Sequence, residues 1–132
     1  MNEICNLSLL EVKEALKKHD LSALEVTNAF IEAAEKIKKL NIYNTFTPEK
    51  AIEMAKLSQS RIDKGQGKPL DGIPIAVKDL FCTEGILTTA SSKILNNFIP
   101  NYESTVTNNL WEAGAVMLGK VSCDEFAMGS SN

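Results

Sequence analysis

Arginine is nearly absent from this chain: Arg61 is the only one among 14 basic residues, set against 17 acidic ones for a net charge of −3. The lysines gather only modestly, at Lys36, Lys38 and Lys39 and again at Lys64 and Lys68. A nucleic-acid surface is ordinarily a face rich in both Arg and Lys, so this balance argues against direct, tight RNA or DNA binding. Histidine is represented once, by His19, among Lys17, Lys18 and Asp20. A cation there suits the negative end of a helix dipole, so His19 reads as a solvated terminal residue rather than a member of a Ser-His-Asp triad. Cysteine is scarce and odd in number. Cys5, Cys82 and Cys123 form no C-x-x-C pair, which removes a disulfide framework and a zinc site from consideration. No apolar run approaches the roughly 20 residues that span a bilayer. The start, Met1-Asn2-Glu3-Ile4-Cys5, has no basic region leading into an apolar one, so a cytoplasmic location is expected. There is no glycine-rich phosphate loop to support ATP binding, and no internal repeat.

What remains is an ordinary globular composition, 44% hydrophobic and 23% charged over 132 residues. That is about one domain's worth of chain. Ser8-Leu9-Leu10-Glu11 and Ser22-Ala23-Leu24-Glu25 both have the form of a capping box, in which a serine and a glutamate three residues later satisfy each other's backbone N–H groups. The first box opens a helix with Leu9, Val12 and Leu16 on one face. The second opens one of about four turns along Val26, Phe30, Ala33, Ile37 and Leu40. Thr47-Pro48 starts a third, with proline at the first helical position, a stripe of Ala51, Ala55, Ser58 and Ile62, and Gly65 to end it. Residues 1–64 are thus expected to be helical, and residues 65–132 to run strand, loop, helix, strand.

Ile73–Val77 is a short apolar run with β-branched residues, and Ala115–Gly119 is another; both have the look of strands covered on both faces. Between them, residues 79–103 read as mostly irregular, and Ser104 or Thr105 caps a helix with Val106, Leu110 and Ala113 on its face. A strand, a connection containing a helix, and a second strand make a parallel βαβ unit, so the fold class is α/β.

Three stretches could carry chemistry. Lys78 stands just past the first strand, where ligands meet open α/β sheets. A lysine desolvated there loses its proton more readily and can act as a base. The plain alternative is a solvated lysine, and Asp79 would spoil the base if it paired with Lys78. The hydroxyl run Thr88-Thr89-Ala90-Ser91-Ser92 most simply satisfies local backbone groups. In Asp124-Glu125-Phe126-Ala127-Met128-Gly129-Ser130-Ser131-Asn132 the small residues can line a pocket, and the adjacent acids suit a helix start.

Leu70-Asp71-Gly72-Ile73-Pro74-Ile75-Ala76-Val77-Lys78-Asp79 resembles the lysine motif of the amidase-signature family. Leu80-Phe81-Cys82-Thr83-Glu84-Gly85 and Thr88–Leu95 resemble that family's branch of glutamyl-tRNA(Gln) amidotransferase A subunits, as do Ala113–Lys120 and Asp124–Asn132. The resemblance implies that the chain is the N-terminal portion of a single domain built on a mixed, mainly parallel sheet. It also implies a Ser-cisSer-Lys triad that releases ammonia from glutamine, with Lys78 as the catalytic lysine. Both serines would follow Asn132, so the 132 residues alone are expected to be inactive. Met128, Gly129 and Ser130 would bind substrate. The implied partners are subunits B and C of a heterotrimer. Glu-tRNA(Gln) is met through a partner subunit, and ATP and Mg are used there, with no cofactor on this chain. Two other readings accompany this one: a free-standing amidase acting on small amides, and a catalytically dead interaction module.

Overall fold

The computed structural model describes residues 3–130. Its elements, in chain order, are α1 (Leu9–Lys18), α2 (Ala23–Lys36), β1 (Tyr43–Phe46), α3 (Pro48–Asp63), β2 (Pro74–Lys78), α4 (Thr105–Glu112) and β3 (Val116–Val121), with short 3-10 turns between some of them. The strands form one mixed sheet of order β1-β3-β2, in which β3 is central, antiparallel to β1 and parallel to β2.

Both capping boxes are present. The Ser8 and Ser22 hydroxyls accept from the N–H of Glu11 and Glu25, and each glutamate accepts from its serine's own N–H. α1 ends at His19, which adopts a left-handed conformation and lies exposed, its Nδ1 3.9 Å from Asp63 Oδ1. α2 is shorter than the apolar spacing suggests. It stops at Lys36, and Ile37 and Leu40 are exposed, in a cap and a 3-10 turn that Asn41 closes in the left-handed region. The buried face of α2 is Ala23, Val26, Thr27, Ala29 and Ile31, rotated from the expected one. In α3 the stripe holds: Ala51, Ala55 and Ser58 are buried, with Pro48 in the first turn.

The expectation that residues 1–64 are wholly helical is corrected by β1. Tyr43-Asn44-Thr45-Phe46 carries two aromatics, a β-branched residue and no turn residue beyond Asn44. Such a segment gains most by pairing with β3, whose outer edge it occupies. α4 also differs. Its buried residue is Thr107, while Val106 is 48% exposed.

Val12, Leu16, Ala23, Val26, Ile31, Ala51, Ala55, Ile73, Val116 and Leu118 make the core between helices and sheet. Burial along β3 is unbroken from Val116 to Lys120, as expected for a central strand. β2 is covered on one face and open on the other: Val77 is buried, but Ala76 and Lys78 on either side of it are exposed. The ladder slips between Ile75 and Ala76, where Gly119 rather than Leu118 follows Met117 in register, and again opposite Asn44 on β1. Such bulges re-aim side chains beside a site. Gly119 is required there because a Cβ would lie 2.5 Å from the Thr45 carbonyl oxygen.

Candidate active site

The carboxyl ends of β2 and β3 lie side by side, with Lys78 paired in register to Val121. The segment after β2 turns back at once, its Phe81 N–H donating to the Lys78 carbonyl. The segment after β3 carries Cys123 to Ser130. Between them runs the hydroxyl stretch 88–92. Ala90 and Ser91 are both left-handed (φ 49° and 54°), as are Phe126 and Ala127 (φ 53° and 58°). Left-handed backbone is costly for residues with a Cβ and persists only where neighbours hold it. Here the neighbours are identifiable. Ala90 N–H donates to the Asp79 carbonyl, and Phe126 N–H to the Ala90 carbonyl. Cys123 N–H donates to Ser91 Oγ at 3.0 Å, and Ser92 Oγ to Glu125 Oε1 at 2.6 Å. Three loops thus form one hydrogen-bonded rim over the strand ends.

Lys78 is exposed on this rim, and no ion pair involves it among the described residues. The desolvation anticipated from its apolar neighbours is therefore not supplied by these residues: the face of β2 that bears Ala76 and Lys78 is open. The feared pairing with Asp79 does not occur. Successive strand residues point to opposite sides, and Asp79 is fully buried. Its Oδ2 accepts from Asn44 Nδ2 at 2.9 Å and from the Thr89 hydroxyl. Its Oδ1 faces Lys120 Nζ at 3.5 Å and has no hydrogen bond among the described residues.

Lys120 is the residue that motif reading passed over. It is completely buried, and its ammonium donates to the Phe81 carbonyl at 2.7 Å and to Thr88 Oγ1 at 2.9 Å. Burial pulls its pKa below the ordinary lysine value, and the nearby Asp79 carboxylate pushes the other way. A lysine at the end of an apolar strand run, with an aspartate at the end of its neighbour, was the available sequence signal. Asn44 gave none, because β1 was read as part of a helical region.

Met128 is 80% exposed, and Gly129 and Ser130 are exposed as well; Ser131 and Asn132 lie outside the described residues. Gly129 approaches Asp124 so closely that a Cβ would sit 2.5 Å from its carboxyl carbon. The structure brings this segment to the strand end that bears Lys78, through Lys78–Val121 and the rim. None of Lys78, Met128, Gly129 or Ser130 lines the groove of about 700 Å³ between α1 and residues 65–71. No helix among the described residues is long and apolar enough to cross a membrane.

The amidase family model matches residues 25–132. Over all 132 residues the chain is 54% identical to the glutamyl-tRNA(Gln) amidotransferase A subunit of Hyphomonas neptunium, and equally so to that of Beijerinckia indica. It spans 27% of the length of each. Among solved structures, a chain of the complex described as revealing the origins of an s-triazine catabolic enzyme superposes with a TM-score of 0.88 at 32% identity, covering 93% of this chain and 28% of that one. An amidase family protein from Bacillus anthracis gives 0.84 at 26% identity, over 93% of this chain and 25% of its own. With the lysine motif at the end of β2 and the fold in agreement, the chain belongs to the amidase family.

Proposed function

We propose that this chain is the N-terminal part of the glutaminase subunit of a glutamyl-tRNA(Gln) amidotransferase. The subunit releases ammonia from glutamine, and the complex uses it to convert Glu-tRNA(Gln) to Gln-tRNA(Gln). ATP and Mg are used by a partner subunit, in a heterotrimer with subunits B and C. Identity of 54% over every residue of the chain supports this reading.

In the proposed chemistry Lys78 is the terminal base. It enters the cycle neutral and takes a proton from a serine in a cis peptide. That serine takes one from the nucleophilic serine, which attacks the glutamine side-chain amide. Ammonia leaves, and water hydrolyses the acyl-enzyme to glutamate. Both serines belong to the part of the protein beyond these residues, as does the cover that would desolvate Lys78. Met128, Gly129 and Ser130 line the substrate side. The observation that carries the role of Lys78 is its orientation: it stands exposed at the carboxyl end of β2, while the adjacent carboxylate is turned inward and engaged elsewhere.

The test is ammonia release from glutamine by the full-length subunit with its partners. Lys78→Ala is expected to lower kcat by about 10²–10⁴-fold with little change in KM, the range for loss of a general base. Lys78→Arg is expected to do no better, since a guanidinium stays protonated. A near-normal kcat in either variant overturns the assignment. The 132-residue chain alone is expected to release no ammonia. A second reading, a free-standing amidase, is favoured by the solved amidases at 25–31% identity. Co-purification with an ATP-using partner separates the two.

A further inference from the structure

We propose that the buried Lys120–Asp79 pair is a positioning device for Lys78, fastening the strand end and the left-handed loop around it from beneath. The proposal rests on the reading of Lys78 as the base. Its starting point is a disproportion. Two charges sit at zero exposure in a chain otherwise sparing with buried charge, yet they meet at 3.5 Å without a good mutual hydrogen bond. Replacing such a pair with apolar residues is often neutral for stability, so stability alone does not explain it. What the two groups do is hold one loop carbonyl, two threonine hydroxyls and the Asn44 amide.

Apart from the Asn44 amide on the Asp79 carboxylate, every remaining side-chain bond of the pair goes to the loops beside Lys78. The Lys120 ammonium holds the Phe81 carbonyl, and the Phe81 N–H in turn holds the Lys78 carbonyl. Lys120 also holds Thr88 Oγ1, and Asp79 holds the Thr89 hydroxyl, so two successive residues of the hydroxyl run are gripped. The main chain of Asp79 is anchored on both sides, its N–H to the Val121 carbonyl and its carbonyl to the Ala90 N–H. Asn44 of β1 bridges the Asp79 carboxylate to Ser91, whose Oγ accepts the Cys123 N–H and so reaches the segment leading to Met128. The Lys78 side chain thus projects from a turn whose backbone is fixed residue by residue. A base that must meet a serine proton within hydrogen-bond reach needs this, because displacement by about 1 Å can cost on the order of 10²-fold in rate.

The experiment uses the full-length subunit in its complex and measures kcat, KM and Tm for Lys78→Ala, for the double variant Lys120→Met with Asp79→Asn, and for Thr89→Val. The double variant removes both charges and keeps the side-chain volumes. It is expected to keep its Tm within a few degrees while kcat falls about 10²-fold at nearly constant KM. A kcat within twofold of the parent, with Lys78→Ala inactive, overturns the positioning role and leaves the base intact. Should the double variant fail to fold, Thr89→Val decides. A fall in kcat of about tenfold at unchanged Tm and KM supports the proposal, and a kcat within twofold of the parent overturns it. An active Lys78→Ala removes the base itself, and the proposal with it.

Discussion

Two aspartates bracket β2, Asp71 before its amino end and Asp79 after its carboxyl end. Both are buried and both face a cation, yet they are built differently. Asp71 takes the guanidinium of Arg61 on both its oxygens and adds the Lys68 N–H at 2.7 Å. Arg61 is partly solvated and also donates to Ser58 Oγ, which donates in turn to the Gly114 carbonyl. This is a brace between α3, the loop before β2 and the turn before β3, and it uses the planar fork that makes arginine suited to carboxylates. That the chain's single arginine is spent here fits its need for a rigid, two-pronged contact. Asp79 instead meets a lysine, whose compact ammonium spends its bonds on a loop carbonyl and a threonine. One end of β2 is closed by a pair whose main contact is the two-pronged one between its own members. The other is closed by a pair that distributes its bonds over the loops beside Lys78, which is the arrangement a site needs and a brace does not.

The contrast can be broken at the Asp79 end first. Lys120→Met in the full-length protein strands a buried carboxylate, and a loss of about 3–5 kcal/mol is expected in urea unfolding. Adding Asp79→Asn should recover most of that stability. A single variant as stable as the parent would show that the carboxylate does not depend on the lysine.

The Asp71 end should cost less. In Asp71→Ala the guanidinium, 29% exposed, has water to turn to, so about 1.5–3 kcal/mol is expected, the range for hydrogen bonds to a charged group. Gly114 sharpens the point. Its φ is +97°, and a Cβ there would stand 2.3 Å from Asp71 Oδ1. Gly114→Ala is expected to cost about 1–3 kcal/mol from backbone strain, with the clash in addition. In an Asp71→Ala background the clash with the carboxylate goes while the backbone strain and the 3.0 Å approach to the Asp71 Cα remain, so the two substitutions should be non-additive by denaturation. Strict additivity would place the clash elsewhere.

The smallest effects lie at the exposed caps, distant in character from either pair. Ser22→Ala is expected to cost about 1 kcal/mol. Hydrogen bonds from the Ser22 hydroxyl and N–H hold Glu25 below its ordinary pKa of 4.5, and those of Ser8 do the same for Glu11. A carboxylate depressed in the folded state binds fewer protons there than in the unfolded chain. Its contribution is complete above about 4.5 and is lost as pH falls through the lowered folded values. Glu11→Gln with Glu25→Gln should therefore lower stability at neutral pH and flatten its fall below pH 4.5. An unchanged acid limb would mean that the boxes contribute nothing.

Much of this molecule was legible in its residues. Both capping boxes, the stripe of α3, the strand ending at Lys78 and the helix cap at Ser104 are local events, decided by side chains within a few residues of one another. The motif around Lys78 and its likeness to the amidase family were equally plain. The misses share a cause. β1 is four residues long and has no independent reason to be a strand; it becomes one because the edge of β3 is available. Ile37 and Leu40 continue the helical spacing of α2, but Asn41 turns the chain left-handed to deliver that strand. The open face of β2 could not be inferred from composition, since Ala76 is as compatible with burial as with exposure.

The sequence by itself determined where the helices begin, two of the three strands, which family the chain belongs to and which lysine is the candidate base. Only the tertiary structure decided what surrounds that lysine. Whether Asp79 would pair with its neighbour Lys78 or with Lys120, 41 positions further along the chain, depended on strand register, on the bulge at Gly119 and on loops that carry Phe81, Thr88 and Thr89 over the strand ends. Local pattern records the period of a strand, but a bulge breaks that period. The partner of a buried charge is then set by which backbones meet in space.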